Sequence, residues 1–253
     1  MIRRDGFFRV WQRNYFHFKK TWIASAFWIV LEPLMYLGAI GYGLGSFVNN
    51  MDGQGFLEFY FPGLLCSTAM MVAFFEGTYA NYTKLTYQKL YSTIMLAPIR
   101  PQEIVMGEIS WCATKGLFGV VGVSAVAFFF GLIESWRIFP AMLVLLLSAW
   151  LFSCAAMLVI SYAKNYDSFI FATSGFIIPM SLISGTYFPL DSLPLALKVV
   201  AYLLPLAHSV HAVRLIINGN WDYTILLNLA YLVIVSLILL KLSMKRISRR
   251  LYS

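Results

Sequence analysis

The chain has 253 residues, of which 60% are hydrophobic and 12% charged, with a net charge of +8 and a mean hydropathy of +0.74. Soluble domains run at about 45–50% apolar and about 25% charged residues. These proportions exclude a soluble enzyme, a disordered protein and a nucleic-acid binder, and they point to a polytopic, all-α membrane protein.

The N-terminal segment, residues 1–21, together with the first residue after it carries Phe7, Trp11, Tyr15, Phe18 and Trp22 at spacings of four, four, three and four. Together they make one helical stripe, with Arg9, Arg13 and Lys20 on the opposite face. The pattern reads as an amphipathic helix lying in the membrane interface. It serves either as an anchor beside acidic lipid headgroups or as a platform on which a partner pushes. No cleavable signal-peptide pattern is visible, because about twenty mixed residues precede the first apolar run.

A membrane-crossing helix takes about 20 mostly apolar residues. Six spans are expected, at Trp22–Phe47, Phe59–Tyr79, Ser110–Ile133, Phe139–Ala163, Ser168–Phe188 and Thr224–Leu242. Glu32 and Pro33 fall within the first span, and that pair is expected to mark a kink. Gly38, Gly41, Gly43 and Gly45 follow, and they read as helix-packing positions. Glu76, Glu108 and Lys115 also lie at membrane depth. Buried charges are costly there, so they face a partner or a water-filled path, or snorkel outward as Lys115 is expected to do.

The loop at residues 80–103 is the longest connection on the N-terminal side. Tyr87, Leu90, Tyr91 and Ile94 stand at i, i+3, i+4 and i+7, so a short amphipathic helix is expected, ending before Ala97-Pro98. Its apolar knob suits a partner's groove, or the helix folds back on the membrane. Near the fifth span, Gly185 and Pro189 break the helix. The region 189–223 is too polar and proline-rich for a clean span, yet apolar at Leu195–Leu206, and a re-entrant helical pair fits it. His208 and His211 are a weak metal signal and read as hydrogen-bonded instead. Cys66, Cys112 and Cys154 read as small buried hydrophobes.

Lys and Arg mark orientation. Arg3, Arg4, Arg9, Arg13, Lys19 and Lys20 precede the first span, Lys84, Lys89 and Arg100 follow the second, Lys164 follows the fourth, and Lys241, Lys245, Arg246, Arg249 and Arg250 end the chain. The other side has only Arg137, Lys198 and Arg214. Both termini are therefore expected in the cytoplasm. The phosphate-loop pattern GxxxxGK[ST] is absent from the sequence, so ATP hydrolysis is not expected in this chain.

Five blocks carry a family likeness: LEPLMYLGAIGYGLG at 31–45, GEISWCATK at 107–115, YDSFIF at 166–171, SGTYFP at 184–189 and LPLAHS at 204–209. On these the chain resembles permease subunits of the type-two ABC exporter superfamily, and within it the nodulation-factor (NodJ-type) branch. The resemblance implies an inner-membrane homodimer joined to two copies of a soluble P-loop ATPase, which holds ATP and Mg. It also implies a coupling helix within roughly Thr83–Leu96, so Tyr87, Leu90, Tyr91 and Ile94 would meet the ATPase. Phe7, Trp11, Arg13, Tyr15 and Phe18 would form the interface helix. Glu32, Pro33, Glu76, Gly185 and Pro189 would belong to the pathway or its gates. The branch exports lipid-linked or lipid-modified oligosaccharides, so an amphipathic substrate is implied. The rival readings are a drug-efflux permease of the same superfamily, an ATPase-independent channel and a membrane-embedded transferase.

Overall fold

The structure is a computed structural model that describes residues 6–48, 51, 53–133 and 135–252. Arg3 and Arg4, counted in the basic N-terminal tail, lie outside the described residues. Among those described, the regular structure is helical. The long elements are α1 (Gly6–Gly45), α2 (Phe56–Tyr87), α4 (Pro101–Phe129), α5 (Ile138–Tyr162) and α9 (Thr224–Tyr252). Between them lie α3 (Leu90–Ile94), α6 (Asp167–Ile183), α7 (Leu195–Leu203) and α8 (Pro205–Asn218). Helices are the expected answer to a bilayer, because each satisfies its own backbone hydrogen bonds.

α2 is the most enclosed helix. Of its most apolar 18-residue stretch 78% is buried, against 11% for α1 and 22% for α9. α4 and α5 pack around α2, and α1 and α9 flank that core. Phe27, Trp28 and Met35 on α1, and Leu226, Ile234 and Leu237 on α9, stay exposed. In lipid such exposure costs little, since acyl chains are as apolar as leucine.

α1 contains one residue with non-helical dihedrals, Thr21 (φ −118°, ψ 17°), which divides a surface segment from the span. Its hydroxyl reaches back to the His17 carbonyl at 3.4 Å, the i−4 contact with which threonine bends helices. Thr21 thus marks a break that hydropathy did not point to, while helical dihedrals continue through Glu32 and Pro33. A π-helical stretch follows at Leu37–Tyr42, where Gly41 sits tight against Leu57 of α2.

Several boundaries differ from the hydropathy reading. α2 continues as far as Tyr87 through π-helical turns at Glu76–Ala80 and Thr83–Tyr87. Lys89 then adopts φ 48°, a left-handed conformation that ends the helix before α3 begins. The helix expected across Tyr87 to Ile94 is thus two pieces. α4 begins at Pro101 rather than near Ser110. Arg100 is extended ahead of the proline, and its N–H donates to Glu103 Oε2 at 2.9 Å. α9 continues to Tyr252, ten residues past the expected end of its apolar run.

α6 has 17 residues, about 25 Å at 1.5 Å per residue, short of the roughly 30 Å hydrocarbon core. The expected fifth span stops early because Gly185 takes φ 78°, which a side-chain-bearing residue rarely adopts. The region 189–223 forms α7 and α8, bent by 86°. Leu204, held extended ahead of Pro205, makes the bend.

Candidate functional site

Three helix ends meet where the N-terminal part of α1, the C-terminal part of α2 and the start of α4 converge; we call this the basal end. Gly107 on α4 allows the approach, since a Cβ there would lie 2.6 Å from the Phe7 carbonyl oxygen and from Val10 Cβ. The face of α1 turned inward is Gly6, Val10 and Asn14. The aromatic stripe instead divides. Trp11 and Phe18 pack on Trp111, with ring centroids 6.3 and 5.6 Å away, and Trp11 Nε1 donates to Thr114 Oγ1 at 3.1 Å. Phe7 and Tyr15 remain exposed.

Arg13 does not stay on the outer, basic face. It turns in to Glu108, whose side chain is 0% exposed. The Glu108 carboxylate accepts from Arg13 Nη2 at 2.6 Å, Lys84 Nζ at 2.8 Å and Asn14 Nδ2 at 2.8 Å. Lys84 donates further to Asn14 Oδ1 and Asn81 Oδ1 at 3.1 and 3.0 Å. A buried carboxylate survives only with such a complete donor set. A second pair lies about two turns deeper. Glu76 accepts from Lys115 Nζ at 2.7 Å and from Trp111 Nε1 at 2.9 Å. Lys115, expected to snorkel, is thus tied inward, because Glu76 stands within reach on α2. A cavity of about 420 Å³ opens between these groups, with Leu90 at its edge.

Tyr91 is fully buried, and burial pushes its phenol pKa well above the usual tyrosine value. It therefore supports α3 from beneath and is not part of an exposed knob. Leu90 and Ile94 are half-buried, Tyr87 is exposed, and Leu96 is 88% exposed. Tyr87 stacks on Tyr166 with ring centroids 5.6 Å apart, and Thr83 Oγ1 lies 2.7 Å from the Tyr166 hydroxyl. Tyr79, Tyr82 and Phe169 complete this aromatic cluster. The segment after α2 is therefore joined to the start of α6. Arg250 of α9 caps the end of α5, donating to the carbonyls of Ile160 at 2.6 Å and Ala163 at 3.1 Å.

A second cavity, of about 440 Å³, lies between α1, α2 and α6, and Trp28, Glu32, Pro33, Tyr36, Phe75 and Tyr187 are among its lining residues. At the far end of the bundle Arg214 donates to the carbonyls of Gly185 at 2.8 Å and Phe59 at 3.1 Å. Its guanidinium also sits 3.8 Å above the Phe59 ring. Gly185 and Pro189 border a smaller cavity there, of about 270 Å³. His208 and His211 both bond to Asn228, at 2.7 and 2.9 Å, which ties α8 to α9. Cys66, Cys112 and Cys154 are free and buried.

The structure thus gathers Arg13, Glu76 and Leu90 around one cavity and Glu32 and Pro33 on another, while Gly185 and Pro189 lie apart at the far end. Sequence reasoning passed over Asn14, Asn81 and the pairing role of Lys84. Nothing in their local sequence marks them, since Asn14 follows Gln12 and Arg13, and Lys84 follows Thr83.

The chain belongs to the ABC-2 type transporter family, whose pattern matches residues 5–218. It is 36% identical to nodulation protein J of Rhizobium meliloti (strain 1021) over 83% of this chain and 80% of that protein. It is 33% identical to nodulation protein J of Rhizobium leguminosarum bv. viciae over 96% and 93% of the two chains. It is also 26% identical to the inner membrane transport permease YadH of Escherichia coli (strain K12), over 89% of this chain and 88% of that one. No solved structure matches the chain.

Proposed function

We propose that this permease is the membrane subunit of an ATP-driven exporter that moves a lipo-oligosaccharide, or a similar amphipathic molecule, outward across the bacterial inner membrane. Two copies pair with each other and with two copies of a soluble ATPase. The observation that carries this reading is the 36% identity to nodulation protein J along most of both chains. Two features of the geometry support it. The exposed Leu96 and half-buried Leu90 and Ile94 offer an apolar contact to a soluble partner. The cavity between α1, α2 and α6 is open, aromatic and sized for a small amphiphile.

In this reading ATP binding draws the two ATPases together. The contact at Leu90, Ile94 and Leu96 receives the motion, and the tyrosine cluster passes it from the end of α2 to α6. The Arg13–Glu108–Lys84 network makes the N-terminal helix move with α2 and α4 as one body. α7 and α8 enter the outer leaflet and close the far end through Arg214. Both termini lie in the cytoplasm.

The test is purification of the tagged chain in mild detergent. A stoichiometric soluble protein with a phosphate loop is expected, and amphipathic glycans should stimulate its ATP hydrolysis. The Leu90→Asp/Ile94→Asp double variant should insert normally but lose that stimulation. Recovery of the chain alone across several detergents, or unchanged stimulation in the double variant, overturns the reading.

A further inference from the structure

Among the described residues, Glu32 is the single acidic or basic one lining the cavity between α1, α2 and α6. Among the described residues no hydrogen bond or ion pair reaches it, although Glu76 and Glu108 are each fully served by donors. It lies eleven residues beyond the break at Thr21, about 16 Å along the helix, close to the middle of a hydrocarbon core about 30 Å thick. A carboxyl group left without partners at that depth does not face lipid; it faces water or a group supplied from outside the protomer. Trp28 and Tyr36 stand four residues before and after it, on the same helical face; all three residues are exposed on the protomer and all three line the cavity. The hydroxyl-bearing Ser67, Thr68 and Ser181 lie on the other walls; the Thr68 hydroxyl donates to the Leu64 carbonyl at 2.8 Å, and the Ser67 hydroxyl lies 3.4 Å from that of Thr186.

We infer that Trp28, Glu32 and Tyr36 form a recognition site for the head group of an amphiphile, one that carries hydrogen-bond donors and presents a face to aromatic rings. Sugar hydroxyls and a protonated amine share that chemistry. The rings stack on the sugar's C–H face or embrace the ammonium, and the Glu32 oxygens accept the donors. The apolar walls, Met71, Val72, Phe75 and Leu182, take the chain. Anionic heads are rejected, because nothing in the lining offers them a positive charge. The site rests on the export reading for its role as a substrate site, but not for its ability to bind.

The experiment measures saturable binding of octyl glucoside, octylammonium and octyl sulfate to the full chain in nanodiscs, without any ATPase. The glucoside or the ammonium should bind the wild type at least about tenfold more tightly than the sulfate, since a hydrogen bond to a charged group contributes about that factor or more. Preference for the glucoside identifies a sugar-reading site, and preference for the ammonium a cation-reading one. Glu32→Gln should cut the preferred probe's affinity about tenfold or more, and Glu32→Lys should reverse the order in favour of the sulfate. Trp28→Ala should weaken all three probes while keeping their order. No saturable binding to the wild type, or the same order of probes in Glu32→Lys, overturns the inference. A chain that binds in the expected order but recruits no ATPase overturns only the export reading.

Discussion

Replacing Glu108 by alanine removes the one anion that Arg13 and Lys84 both touch. The two cations are then left together at a site where the carboxylate was fully buried and their own side chains are 31% and 14% exposed. Both already share Asn14 Oδ1 as an acceptor, so the loss leaves like charges competing for a neutral oxygen. Breaking a buried pair on one side costs about 3–5 kcal/mol, and the lower figure corresponds to roughly 10²-fold in an equilibrium constant. The weak point is the N-terminal part of α1, which is joined to its span only through the break at Thr21. Hydrogen exchange in nanodiscs should therefore show protection over Val10–Lys20 falling on the order of 10²-fold, with α2 and α5 unchanged. Glu108→Gln, which keeps the shape and one acceptor, should lose less. The charge-free triple variant Arg13→Met, Lys84→Met, Glu108→Leu should recover most of the protection, since apolar replacement of a buried ionic cluster is often neutral or stabilising. Unchanged exchange in Glu108→Ala would refute the claim that this network holds the helix, and so would a triple variant as labile as the single one.

Three further outcomes are expected. Gly107→Val forces side-chain carbons into Phe7 and Val10, and overpacking of that kind costs about 1–3 kcal/mol; exchange should rise over the same α1 segment, with Glu108 still paired. Arg250→Met uncovers the Ile160 and Ala163 carbonyls at the end of α5, a loss of about 1–3 kcal/mol, and limited proteolysis should find new cleavage near Lys164. Tyr166→Ala removes the stacks on Tyr79 and Tyr87, each contributing about 0.5–1.5 kcal/mol. Stimulated ATP hydrolysis in the complex should fall while basal hydrolysis stays, and an intact response would separate this cluster from coupling.

Membrane class and helical architecture follow from the chain alone. A run such as Phe139–Ala163 admits no other solution in lipid, where every backbone group must find a partner within its own segment. Local stops were legible because they need no distant partner: Pro205 holds Leu204 extended, and Gly185 takes a positive φ of its own. Hydropathy, however, is a sum over adjacent residues, and it says nothing about which distant residues approach. Arg13 and Glu108 are 95 residues apart in sequence, and only the close contact that Gly107 permits makes them partners, pulling Arg13 off the face where its helical spacing had placed it. Lys115 reads as a snorkelling cation until α2 brings Glu76 to within 2.7 Å. The Tyr87-to-Ile94 pattern is a sound helical period, yet it is cut at Lys89, which takes a left-handed conformation, and Tyr91 beyond it is fully buried. Pairing and burial of polar groups depend on how helices pack, and that was decided by the tertiary structure.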